Sequence, residues 1–297
     1  MREEAFTESL RAIGMRWQRD IRIASDDTKD LYLPLVARGP REGIAVHRDL
    51  AYGPHPRHVL DVYQPAGARR AGVLVFVHGG AFVRGAKDIN AEMYGNVLIW
   101  FARQGYLGIN LEYRLAPEAP YPGGAADLAL ACNWLAEHVA QYGGDPQRIG
   151  LVGHSAGGTH VATLIGDPVL RPDFDPDGRL CCAVLLSARL RADDLPVNPN
   201  AAGVAAYFGA DPSTYEQRSP VSHAANVSLP VLVVNAEFEN PLLDLYGLEY
   251  ALAVGQSRGV APLHLALADH NHMSIVTHFN TGEQFLGEQI LAFFERA

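Results

Sequence analysis

The stretch from Asp145 to Ile165 constrains this chain more than any other. Ile149–Val152 is a short apolar run that reads as a buried strand. Gly153, Ser155 and Gly157 then fit G-x-S-x-G, and Gly158 to Ile165 has no proline and an apolar face at helical spacing. Strand, tight turn and helix together are the setting of a nucleophile elbow. Such a turn forces Ser155 into strained backbone angles and lifts its hydroxyl clear of the sheet. Gly153 and Gly157 are needed because a side chain there would collide with the neighbouring strand or helix. The helix begins just past the serine, so its free N–H groups and positive end face any negative charge that develops there.

The rest of the chain must supply a sheet around this turn. At 297 residues it fits one large α/β domain or two small ones, and 48% hydrophobic with 19% charged residues is ordinary for a globular protein with a large core. The net charge of −9 and the lack of any Lys/Arg run argue against nucleic acid or an anionic membrane surface as partner. No segment approaches a membrane span, and the acidic start Met1–Ala5 reads as lacking a secretory signal. The three cysteines are Cys132, Cys181 and Cys182. Neighbours on a strand point to opposite faces, so Cys181 and Cys182 are expected to stay unpaired, as reduced thiols in a cytoplasmic protein.

In chain order, residues 1–40 carry Leu10, Ile13, Met15 and Trp17 at roughly helical spacing and read as one or two helices ending near Gly39-Pro40. Preceding every strand, they form an N-terminal cap segment, either a lid or a packing appendage, beside a main domain over 41–297. Ile44–Val46 and Val59–Tyr63 flank a turn cluster and predict a hairpin at a sheet edge. Val73–Val77 is a fully buried strand, followed by a helix over Met93–Gln104, a strand over Tyr106–Leu111 and an amphipathic helix over Asp127–Tyr142. After the elbow come strands at Cys182–Ser187, Val231–Val234 and Leu263–Leu267, a helix over Leu242–Arg258 and a C-terminal helix holding Phe285, Ile290 and Phe294. The alternation predicts a doubly wound, mostly parallel sheet. Residues 189–228 are rich in turn residues, with a small helix around Ala201–Tyr207, and read as a lid insertion.

Four motifs stand in a fixed order: His78-Gly79-Gly80-Ala81-Phe82, Glu112-Tyr113-Arg114-Leu115-Ala116-Pro117-Glu118, Gly144-Asp145-Pro146 and Gly153-His154-Ser155-Ala156-Gly157-Gly158. With them the chain resembles the α/β-hydrolase fold, and within it the hormone-sensitive-lipase-like carboxylesterases and their aryl-formamidase relatives, over roughly residues 45–295. The resemblance implies Ser155 as nucleophile, then an acid, then a histidine, in that chain order. His270 and His272 both lie in the loop after the last predicted strand, and the family position falls on His272. The acid belongs in the loop after Val234, where Glu237, Glu239 and Asp244 lie; Glu239 matches the family position, although aspartate followed by proline is usual and here Asn240-Pro241 follows. Backbone N–H groups of Gly80, Ala81 and Ala156 are the expected oxyanion donors, with Gly79 allowing the close approach. Ala81 departs from the glycine common at that position, which a backbone donor tolerates. His78, Tyr113 and Arg114 are expected to brace this loop.

Two other motifs fail. Asp173–Gly178 opens like a calcium loop but has Val184 where the bidentate glutamate is needed, so it reads as a solvated turn. His270-x-His272 has no third ligand at suitable spacing, so no metal is expected there. The expectation is a cofactor-free serine hydrolase of small carboxylic esters working through an acyl-enzyme, with an aryl-formamidase-type amidase as the alternative and a homodimer as candidate assembly. A hydrolase-fold binding protein that has lost catalysis would lack the nucleophile, base or oxyanion glycines, all of which are present.

Overall fold

The computed structural model describes residues 3–69, 71–170 and 178–297. The Asp173–Gly178 turn thus lies almost wholly outside the described residues. The chain opens with α1 (Glu3–Met15), a turn of 3-10 helix (Trp17–Arg19) and α2 (Ile21–Val36), then β1 (Ile44–Ala51), β2 (Val59–Pro65), β3 (Ala71–Val77), α3 (Gly95–Arg103) and β4 (Leu107–Leu111). It continues with α4 (Gly123–His138), β5 (Gly144–His154), α5 (Ala156–Gly166), β6 (Leu180–Leu186), α6 (Ala201–Phe208), α7 (Tyr215–Arg218) and β7 (Val231–Phe238). The end is α8 (Leu243–Arg258), β8 (Leu263–Asn271), α9 (Ser274–Thr277) and α10 (Phe285–Phe294).

The described strands form one eight-stranded sheet in the order β1-β2-β4-β3-β5-β6-β7-β8. β2 is antiparallel to β1, as the edge hairpin predicted, and also to β4, while β3 through β8 pair in parallel. The central strands are apolar on both faces because helices cover both. On β3, Val73, Val75 and Val77 pack with Leu128 and Leu135 of α4 and Val161 of α5. Leu74 and Phe76 point the other way, to Leu98 of α3 and to Ile290 and Phe294 of α10. Burying each such side chain contributes on the order of 2 kcal/mol, so the sheet centre is its most firmly held part.

Among the strands that run beyond the sequence expectation, two bear on the acid and the histidine. β7 runs to Phe238 and β8 to Asn271, beyond the predicted ends at Val234 and Leu267. Their pairing continues to Phe238 with Asn271, across a register shift after Ala236, and Asp269 takes a left-handed φ of 61°. Single-residue apolar patterning stops at Leu267, but backbone pairing does not need apolar side chains. The sheet therefore carries Glu237, His270 and the approach to His272 further than the pattern shows.

Candidate active site

β5 ends at His154 and α5 starts at Ala156, which leaves Ser155 alone at the turn with φ 53° and ψ −118°. That region costs a non-glycine residue on the order of 1–3 kcal/mol, and the surroundings hold it. Ser155 N–H donates to Leu186 O of the adjacent strand at 2.9 Å. A Cβ on Gly153 would stand 2.6 Å from Gly158 Cα, and one on Gly157 would stand 2.1 Å from Val77 O on β3. Both glycines are thus required by backbone that cannot yield, as the sequence predicts.

The ends of β6, β7 and β8 bring the partners. His272 Nε2 lies 3.1 Å from Ser155 Oγ, and His272 Nδ1 lies 2.8 Å from Glu239 Oε2. Glu239 is buried and its other oxygen accepts from the Ser187 hydroxyl and from Ala236 N–H at 3.0 Å. These donors satisfy the carboxylate and fix its plane, so that it can hold the imidazole in one orientation. The His272 backbone is held on both sides: its N–H donates to Phe238 O at 3.1 Å, and its carbonyl accepts from His154 Nε2 at 2.8 Å. A carbonyl only accepts, so His154 carries its proton on Nε2. Burial, reinforced by the neighbouring His272, pushes the His154 pKa down to about 3, which keeps this brace neutral.

The other candidates are engaged elsewhere. His270 bonds Ser274 Oγ at 3.0 Å and Glu283 Oε1 at 2.8 Å. Glu237 accepts Asp269 N–H at 2.7 Å, and Asp244 is exposed in the first turn of α8.

The loop after β3 runs beside Ser155. A Cβ on Gly79 would be 3.0 Å from Ser155 Cβ, so this loop approaches the turn as closely as backbone allows. Gly80 has φ 144°, where a Cβ would meet Arg84 O at 1.8 Å; Ala81 and Phe82 follow with φ 49° and 70°. Phe82 anchors this run of positive φ by stacking on Tyr207, centroids 4.7 Å apart at 6°, with Phe208 edge-on. Beneath it, His78 stacks on Tyr113, whose hydroxyl donates to His78 O at 2.8 Å. His78 Nε2 and Arg57 both reach Glu112. Burial alone would raise the Glu112 pKa, but hydrogen bonding to His78, with Lys87 N–H and Arg57 adding, holds it below the ordinary value. Arg114 is locked to buried Asp127. His78 and Tyr113 brace the loop, whereas the Arg114 side chain is committed to Asp127. Ala156, first in α5, has an N–H with no intrahelical acceptor.

A cavity of about 820 Å³ opens onto Ser155, lined among others by Gly80, Ala81, Asn200, His272 and, from the N-terminal segment, Trp17 and Lys29. Trp17 Nε1 donates to Asn240 Oδ1 at 3.0 Å, next to the acid. Sequence reasoning missed Trp17, His154, Ser187 and Asn240. Ser187 could have been found, because it directly follows β6 and side chains at the carboxyl ends of adjacent parallel strands converge.

Fold and site together define an α/β hydrolase. The chain superposes on a hyperthermophilic esterase from the archaeon Pyrobaculum calidifontis with a TM-score of 0.72, covering 97% of both chains at 23% identity. Residues 60–177 match the BD-FAE family model. Esterase LipC of Mycobacterium tuberculosis is 31% identical over 185 residues, 59% of this chain and 44% of its own length. Esterase LipI of the same organism is 30% identical over 214 residues, 68% of this chain and 56% of its own length. The chain thus spans about half the length of these relatives. No helix among the described residues is long and apolar enough to cross a membrane.

Proposed function

We propose that this chain is a serine carboxylesterase acting on small esters through an acyl-enzyme, with Ser155 as nucleophile, His272 as base and Glu239 as its partner. The observation that carries the reading is the chain of two hydrogen bonds, Ser155 Oγ to His272 Nε2 at 3.1 Å and His272 Nδ1 to Glu239 Oε2 at 2.8 Å, at a serine held at φ 53°. The esterase names of LipC and LipI support the reaction class.

His272 Nε2 takes the Ser155 proton as Oγ attacks the ester carbonyl, which contributes on the order of 10²–10⁴-fold. Glu239 stabilises the imidazolium without taking its proton. The N–H groups of Gly80, Ala81 and Ala156 hold the oxyanion, each worth on the order of 3 kcal/mol. His272 then gives the proton to the leaving alkoxide, and water repeats the sequence to release the acid. α1, the Trp17 turn and α2 act as a cap, and residues 189–228 as a short lid, over a cavity whose size suits short acyl or aromatic groups. Cys132, Cys181 and Cys182 form no disulfide among the described residues, which fits a reducing, cytoplasmic setting. The exposed Leu245, Leu248 and Leu252 of α8 offer a face for a homodimer.

A panel of nitrophenyl esters of increasing chain length, run beside N-formylkynurenine, tests the reading. Short esters are expected to be preferred, and Ser155→Ala to abolish turnover and labelling by an organophosphonate in a folded protein. Persistent labelling of the mutant would exclude Ser155, and a tenfold preference for the formamide would exclude the carboxylesterase assignment.

A further inference from the structure

A second cluster of chemically capable side chains lies just beyond His272. His270 at the end of β8, His278 after α9 and Glu283 before α10 offer one ligand atom each, and these atoms lie within 4.8 Å of one another. The two imidazoles meet edge to face, centroids 5.0 Å apart. We propose that His270, His278 and Glu283 bind a zinc ion that ties the segment before α10 to the turn carrying His272.

His278 carries the argument. Its ring is fully buried, and Nδ1 lies 2.8 Å from Ser274 O. A carbonyl only accepts, so Nδ1 holds the proton and Nε2 presents its lone pair. That Nε2 has no hydrogen-bond partner, although buried polar atoms are almost always paired. An ion pair between His270 and Glu283 accounts for those two residues at 2.8 Å but leaves His278 Nε2 without a hydrogen-bond partner among the described residues. A metal ion accounts for all three.

The surroundings match what metal-binding imidazoles need. A ligating histidine has its second nitrogen oriented by a neighbour, and Ser274 does this for both: its carbonyl for His278 and its hydroxyl for His270 Nδ1 at 3.0 Å. Ser274 Oγ also accepts Asn271 N–H at 2.8 Å, so the groups that orient both imidazoles belong to the turn itself. Two imidazoles and a carboxylate with one open position suit zinc among the divalent ions. Glu283, 37% exposed at its side chain, gives entry from solvent and leaves room for a water as fourth ligand. Buried Tyr32 of α2 also has a hydroxyl without a partner, and lies near enough for the Glu283 charge to add to burial in raising its pKa. On binding, the proton that His270 Nε2 now shares with Glu283 passes to solvent, and the two ligand atoms part to about 3.3 Å, the span set by metal–ligand bonds near 2 Å. The pairing of His270 with His272 considered from sequence fails, because His272 faces Ser155 while the added ligands stand 8 and 13 residues after His270.

The test is titration of the chelator-stripped full chain with Zn²⁺ in competition with a chromophoric chelator, with Co²⁺ absorption as an independent report on coordination. Wild type is expected to take up one ion per chain and to gain about 5 °C in Tm at a hundredfold excess over Kd. His278→Gln and Glu283→Gln are each expected to weaken binding by about a hundredfold or more. Glu283 is part-exposed, so its variant stays informative should His278→Gln not fold. Absence of a stoichiometric site in wild type, or unchanged affinity in Glu283→Gln, would overturn the proposal.

Discussion

Acidification from pH 7 to pH 5 should remove about 4 kcal/mol of folding stability through two histidines, His154 and His160. Both rings are buried, and burial first of all pushes each pKa down to about 3 from the ordinary 6.5. Each also has one ring nitrogen without a hydrogen-bond partner, His154 Nδ1 and His160 Nε2, so protonation would place an unpaired donor and a charge in the core. The unfolded chain has no such constraint. At pH 5 an unfolded histidine is about 97% protonated and the folded one is neutral, a difference of about 1.5 pK units or 2 kcal/mol per ring. The unfolded state binds more protons below pH 6.5, so stability falls as pH falls, from about 6.5 down to about 3. Glu112, whose folded pKa lies below 4.5, adds a loss in the same direction only below that pH, so the window from 6.5 to 5 belongs to the histidines. The loss is a large share of an ordinary total of about 5–15 kcal/mol. Urea unfolding followed by circular dichroism at pH 7, 6 and 5 measures it. His278, whose burial pushes its pKa down to about 4, adds a similar loss, so His160→Phe, placed among Phe82, Tyr113 and Tyr207, should flatten the pH dependence by about a third. A wild-type loss under about 1 kcal/mol, or an undiminished slope in His160→Phe, would refute the reasoning.

Substitution of the two histidines should separate them: His272→Ala is expected to lower kcat on the order of 10³-fold or more and His270→Ala less than tenfold, the reverse ranking marking His270 as the base. Glu239→Gln should cost on the order of 10²–10³-fold in kcat/KM while Glu237→Gln stays near wild type, as read in the same ester assay. Gly157→Ala drives a Cβ against Val77 O and His78 O and should destabilise the fold by about 3 kcal/mol in thermal melts; a neutral result would mean the turn relaxes freely. Trp17→Phe keeps an aromatic ring, though a smaller one, and leaves buried Asn240 Oδ1 without its donor, for a loss of about 1–3 kcal/mol, with kcat falling because Asn240 adjoins Glu239; unchanged kcat would make Trp17 a packing residue only.

Much of this protein is legible without coordinates. Continuous apolar runs such as Val73–Val77 and Ile149–Val152 announce strands buried on both faces, and helical spacing between them leaves a parallel sheet as the packing that covers both sides. Gly153, Ser155 and Gly157 mark the turn because its demand is local: each glycine answers to backbone a few residues or one strand away. What tertiary structure decided is everything that depends on which strand ends stand together. His270 and His272 look alike in the chain; the extended pairing of β7 with β8 commits one to Glu283 and the other to Ser155. Glu239 is singled out from Glu237 by Ser187 and Ala236, donors supplied by the ends of β6 and β7. Trp17, more than two hundred residues from Asn240 in the chain, reaches the acid loop only because the N-terminal segment folds over the cavity. Periodicity reports the side of an element that faces the core, but hydrogen-bond partners at this range are chosen by packing, and no local pattern encodes them.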